Sequence, residues 1–126
     1  MKKIAKHIKL GKEGEKIAKQ YLENKGFSII EVNWRFHHKE VDIICKNGTT
    51  LVFAEVKTRT CDYFQKPFEA VDEKKQQFLT EAAEAFVCNF TDFSEIRFDI
   101  VSIVFNNNKV RSIEHIKEAF IPGIDS

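Results

Sequence analysis

Residues 39–59, KEVDIICKNGTTLVFAEVKTR, constrain this chain more than any other stretch. Asn47-Gly48 is the strongest short-range hairpin signal in a sequence, because both residue types accept the positive φ that tight hairpin turns demand. On either side lie runs rich in β-branched residues, 39–46 and 49–59, which read as paired strands. The second run is apolar on both faces, with Leu51 and Phe53 on one and Val52, Ala54 and Val56 on the other. That pattern marks a central strand covered on both sides. Glu55 and Lys57 nevertheless continue the Leu51–Phe53 face, where charge is costly unless it is paired or bound to a metal.

A symmetric hairpin about Asn47-Gly48 pairs Glu40 with Glu55 and sets Asp42 opposite Phe53, diagonal to Glu55. Directly opposed residues share a face, so Glu40, Asp42, Glu55 and Lys57 are expected to converge. Like charges so placed destabilise a sheet, and diagonal neighbours lie only ~7–8 Å apart. A divalent cation relieves that repulsion. Mg²⁺, with Mn²⁺ as its substitute, fits carboxylate oxygens while keeping waters and phosphates as further ligands. Lys57 would stabilise charge on a phosphate or help activate the attacking water. E-x-K alone would be read as a salt-bridged pair on an exposed face. E-x-D on the preceding strand tilts the reading toward a metal site.

The remaining pattern supplies a frame. Residues 11–25 read as an amphipathic helix with Ile17, Ala18, Tyr21 and Leu22 on one stripe, closed by Gly26 as its C′ residue. A strand follows at 27–36, then the hairpin, a loop over 60–68 and a second helix over 69–88. Val71, Lys75, Phe78, Leu79, Ala82 and Phe86 lie on that helix at helical spacing. Strands at 96–105 and 109–116 flank an Asn106–Asn108 turn. The order αβββαββ is that of an α/β protein with a mixed sheet flanked by helices.

At 126 residues the chain is long enough for one domain with a real core, expected over about 10–118. Twelve phenylalanines would pack that core. No apolar run reaches the ~20 residues of a membrane span, and no apolar segment follows the N-terminal lysines as in a signal peptide, so a cytoplasmic location is expected. Cys45, Cys61 and Cys88 are odd in number and widely spaced, which reads as free buried thiols. The formal net charge is only +1, against a strongly basic nucleic-acid binder. Residues 1–25, however, carry eight Lys against three acids, so one face can still be basic.

E-V-D (40–42) followed by A-E-V-K (54–57) resembles the D…(D/E)xK signature of restriction-endonuclease-like nucleases. With GKEGEKIAKQYL (11–22), NWR (33–35), VFAEVKTR (52–59), AVDEKK (70–75) and RFDIV (97–101), the chain resembles the YraN-type family of uncharacterised bacterial proteins. That family departs from this chain at Lys39, where its pattern usually has Gly. The resemblance implies a restriction-endonuclease-like fold, distantly similar to Holliday-junction resolvases, and with it nucleic-acid binding and phosphodiester cleavage. It maps Asp42 and Glu55 onto the metal ligands, Lys57 onto the motif lysine and Glu15 onto a first-helix glutamate that joins such sites. From its position alone, Glu15 either reaches the sheet or is a solvated first-turn glutamate.

Arg35, Arg59 and Lys75 are candidate phosphate contacts; a snorkelling lysine would look the same as Lys75. His37 and His38, adjacent in a loop, suit loop or phosphate contact better than metal ligation. Trp34 is either a core residue or a base-stacking one. Asp99 is expected to partner Arg97 or the second helix. Three functions remain: a metal-dependent nuclease acting on DNA, branched or structured DNA included; a non-catalytic nucleic-acid-binding module; and a scaffold. Resolution of branched DNA usually needs two active sites, so a homodimer goes with the first.

Overall fold

The computed structural model describes residues 2–60 and 71–123, with side chains from residue 9 onward. Its elements are α1 (Lys2–Asn24), β1 (Ser28–Phe36), β2 (Lys39–Asn47), β3 (Thr50–Thr60), α2 (Glu73–Phe86), β4 (Glu95–Asn106) and β5 (Lys109–Ile116). The strands form one sheet in the order β1-β2-β3-β4-β5. Neighbours run antiparallel except β3 and β4, which are parallel and in register from Thr50↔Glu95 to Thr60↔Phe105. A parallel step needs a crossover, and α2 lies on that path. This is the mixed α/β architecture, αβββαββ, that the sequence pattern implies.

The sheet separates two apolar clusters. Ala18 and Leu22 of α1 pack on Ile43, Cys45, Val52, Ala54, Val101 and Ile103. Leu79, Ala82 and Ala83 of α2 pack with Val41, Ile44, Leu51, Phe53 and Phe98 on the opposite face. β3 therefore buries both of its faces, as its unbroken apolar run requires. Trp34 joins the α2-side cluster, edge-on to Phe86 at 5.1 Å, and so acts as a core residue.

Three local expectations change. α1 begins at Lys2 rather than at residue 11, since the lysine-rich start consists largely of good helix formers. α2 begins at Glu73 because Asp72 caps it, its carboxylate accepting the Lys75 N–H at 2.9 Å; residues 69–70, assigned to this helix from the pattern, lie outside the described residues. Cys45 is buried but Cys88 is exposed at the end of α2, where the helix has left the core. Cys61 and all but the first residue of the expected 60–68 loop fall outside the described residues, and Thr60 is the last residue of β3.

Gly14 was not singled out by the sequence pattern. It is buried in α1, and a Cβ there would run into the hydroxyl of Thr58 on β3. A glycine thus lets helix and strand close together beside the acidic residues of the hairpin.

Candidate functional site

The β2–β3 register differs from the expected one. Asn47 remains in the strand and pairs with Thr50, so the two-residue loop is Gly48-Thr49, with Gly48 at φ +63°. Pairing then runs through Ile44↔Phe53 to Ile43↔Ala54, which brings Asp42 level with Glu55 instead of Phe53. The displacement is two residues. Because side chains alternate with a period of two, it preserves which strand residues share a face.

Beyond Ile43↔Ala54 the ladder stops, although β2 stays paired to β1 and β3 to β4. In its place the Asp42 carboxylate accepts the Val56 N–H at 2.8 Å. A side chain here satisfies a main-chain donor that a neighbouring strand would otherwise take. β1 is distorted at the same level: Asn33, between the pairs Val32↔Ile43 and Trp34↔Val41, has φ 50°. Asn tolerates this left-handed conformation better than most residues, and its position in an otherwise β-branched and aromatic run was the available signal. The turn-over at Asp42 also breaks alternation, since Val41 packs on the α2 side while Ile43 packs on the α1 side.

That break sorts the expected site residues. Asp42, Glu55 and Lys57 come together, joined by Lys75 from the first turn of α2. Glu55 is buried, and its Oε2 receives Lys75 at 3.2 Å and Lys57 at 3.8 Å. Its Oε1 is buried with no hydrogen-bond partner. Glu40 is exposed and leans toward Arg35 at 4.0 Å instead of facing Glu55. Glu15 accepts a hydrogen bond from the Asn33 amide at 3.1 Å, so the first-helix glutamate does reach the sheet. Among the described residues, no three or more His, Cys, Asp or Glu side chains are grouped so as to hold a metal.

Burial pushes the Asp42 carboxyl up to about 7, with the negative charges of Glu55 and Glu15 adding to the effect. The Val56 N–H and Lys75 pull the other way. At neutral pH this group stands between holding a proton and holding a cation. A divalent ion fits that donor set: it would take the place of the Asp42 proton and give the orphaned Glu55 oxygen a partner. Mg²⁺ commonly takes only one or two carboxylates from a protein and completes its shell with waters and phosphates. Asp42 and Glu55 are the two residues that could hold such an ion.

The other candidates are spread around this centre. Lys75 turns onto Glu55 and lies 5.6 Å from the centre of the Phe78 ring. Arg59 is half-buried on β3, in register with Val104. His37 and His38 form the exposed β1–β2 turn, His37 with φ 58°. Asp99 belongs to a separate buried cluster that clamps the chain after β5. It bonds Arg97 at 2.8 and 2.9 Å, His115 at 2.7 Å and the Glu118 N–H at 3.0 Å, and α2 takes no part in those bonds. Burial raises its pKa, but those hydrogen bonds outweigh burial and hold the carboxyl below its ordinary range. Among the described residues, no helix is long and apolar enough to cross a membrane.

The model of the uncharacterised protein family UPF0102 matches residues 14–103, which include α1 from Gly14 and every residue of the site. A UPF0102 protein of Christiangramia forsetii is 44% identical over 117 residues, covering 93% of this chain and 98% of its own. One from Bacteroides thetaiotaomicron is 44% identical over 121 residues, 96% of this chain and 99% of its own. A third, from Thermodesulfovibrio yellowstonii, is 44% identical over 113 residues, 90% and 96% respectively. The family model covers most of the chain and these relatives match it along nearly their whole length, so the chain belongs to the uncharacterised protein family UPF0102, the YraN type.

Proposed function

We propose that the protein is a divalent-cation-dependent nuclease that hydrolyses phosphodiester bonds in DNA, branched or structured DNA included. The observation that carries this reading is the buried, unpartnered Glu55 Oε1 beside Asp42, at a break in the sheet. A buried carboxylate oxygen without a partner costs about 1–3 kcal/mol or more, and a cation removes that cost. Asp42 and Glu55 would hold the ion. When bound, Mg²⁺ or Mn²⁺ supplies Lewis acidity to a phosphate and makes water a better nucleophile.

The chain's own residues do the remaining work. The Val56 N–H fixes the direction of the Asp42 carboxylate, so its free oxygen is oriented before anything binds. Lys57, roughly a third exposed by its side chain, is near enough to Glu55 to offset charge on a phosphate at the same centre. Lys75 balances Glu55 and leaves one carboxylate oxygen to be used. Arg35 and Arg59 are the further phosphate contacts of this reading, and a homodimer would present two such centres to a branched substrate.

A second reading keeps binding and drops cleavage. It is favoured by the engagement of Glu40 with Arg35 and of Glu15 with Asn33, which leaves only two acids at the centre. One experiment separates the two. Single-stranded, duplex and branched DNA are incubated with the protein in Mg²⁺, Mn²⁺ or EDTA, beside Asp42→Asn and Lys57→Met. Metal-dependent cleavage lost in both variants supports the nuclease. Retention of DNA with no cleavage in either metal supports the binding module, and neither cleavage nor retention refutes both.

A further inference from the structure

Asp42 is reached from a cleft on the α1 side of the sheet, about 500 Å³ in volume, between α1 and the β1–β2 edge. Lys12, Lys16 and Lys19 line one wall of it. All three are exposed, and no ion pair or hydrogen bond engages them among the described residues. Their spacing of four and three residues sets them on one helix face. Of the acids on the same cleft, Glu40 leans toward Arg35, while Glu15 accepts a hydrogen bond from the neutral Asn33 amide and keeps its charge. The wall therefore sets three lysines, outnumbering the one acid of the same helix that lines the cleft, along a groove that reaches Asp42. Val32, 45% exposed, adds an apolar patch on the opposite side, where a sugar or base edge could rest.

We propose that this cleft is the track along which one phosphodiester strand approaches the centre, with Lys12, Lys16 and Lys19 as its backbone contacts. The proposal rests on the reading of the protein as a nucleic-acid-binding protein and names the surface that does the binding. The dimensions agree. Seven residues of α-helix rise about 10 Å, the axial run of about three phosphates of one strand at 3.4 Å each. These contacts add to those expected of Arg35 and Arg59, whereas Lys75 is turned onto Glu55. A chain of net charge +1 can still bind nucleic acid if its few unpaired cations share one groove.

The test is the salt dependence of binding, read without cleavage. Fluorescence anisotropy with a labelled single-stranded DNA, a duplex and a single-stranded RNA is measured in Ca²⁺ at several KCl concentrations. The wild type is compared with Lys12→Gln/Lys16→Gln/Lys19→Gln and with Lys25→Gln/Lys109→Gln/Lys117→Gln, which loses the same formal charge elsewhere. The cleft variant should flatten the slope of log Kobs against log[salt] by about 2 on a single strand and nearer 3 on a duplex. The control variant should leave it unchanged. Equal flattening by both variants, or none by the cleft variant, overturns the proposal while leaving a nuclease intact. A wild type that binds none of the three probes overturns the proposal and the functional reading together. A strand-selective loss tells which of DNA and RNA the groove takes.

Discussion

Replacing Asp42 by Asn should abolish the pH dependence that this one group imposes on stability. In the folded chain its carboxyl is raised from an ordinary value of 3.8 to about 7. The unfolded chain gives up that proton near pH 4 while the folded chain keeps it, so folding loses ground as pH rises between the two values. Stability from this source is complete below pH 4 and fully lost above about 7. A shift of this size corresponds to about 4 kcal/mol against the ionised form. Asn carries no titrating proton, and its amide oxygen can still accept the Val56 N–H. Urea unfolding in EDTA from pH 4.5 to 8.5 would give the difference between variant and wild type at each pH. The difference should move in favour of the variant by at least about 1 and up to about 3 kcal/mol across that window, then level off above pH 7. Mg²⁺ at a hundred times its Kd should return about 2.7 kcal/mol to the wild type at pH 8, less at pH 6, and little to the variant. Parallel pH curves for the two proteins would refute the account of Asp42 as a carboxyl held protonated by burial and by Glu55.

Lys75→Met removes the nearer counter-charge of buried Glu55 while Lys57 remains; a loss of about 1–2 kcal/mol in urea unfolding is expected, below the usual cost of a fully buried pair because both lysines keep some solvent. Gly14→Ala should cost about 1–3 kcal/mol by thermal unfolding, since the added methyl meets the Thr58 hydroxyl, and Thr58→Ala in the same chain should recover part of it. Asp99→Asn should destabilise by about 3 kcal/mol at pH 7 by leaving Arg97 without its partner; because the carboxyl is held below its ordinary range, the deficit should shrink as pH falls toward 3. Alkylation followed by peptide mass spectrometry should label Cys88 in the native protein well before Cys45, whose thiol burial pushes up to about 12, with the Asp99 charge adding to it.

Strand positions were readable because they depend on local properties. The β-branched runs, Gly26 closing α1 and the three asparagines before Lys109 marked element ends to within one or two residues. Asn107 and Asn108 indeed take φ of 53° and 65° between the paired Asn106 and Lys109. The double burial of β3 was legible for the same reason. What local pattern could not supply was register, because Asn47-Gly48 and Gly48-Thr49 are both plausible loops and differ by two residues in every pair that follows. The observed register brings Asp42 level with Glu55, whereas Glu40 lies beyond the end of the β2–β3 ladder and beside Arg35. Still less legible were contacts between segments distant in sequence. Nothing near Asp42 announces that its carboxylate takes the Val56 N–H, and nothing in GKEGEK tells that Gly14 is the glycine a strand needs. Asn33 alone left a trace, as a residue ill suited to the strand it occupies.

The break in the sheet and the acidic pair are two aspects of one arrangement. Where β2 leaves β3, the Val56 N–H would be an unpaired donor inside the protein, and Asp42 satisfies it. A carboxylate used in this way cannot be moved out to solvent without orphaning the backbone, so it stays beside Glu55 despite the repulsion. Glu55 is held in turn by two lysines that occupy only one of its oxygens. The folded chain thereby retains a half-compensated pair at the end of an open cleft, beside a β3–β4 ladder that runs unbroken over its whole length. Two packed helices and a central strand buried from Leu51 to Glu55 supply the stability that lets such a defect persist. A local arrangement that weakens the fold and is kept rigid by its surroundings is what a binding centre for a cation and a phosphate requires.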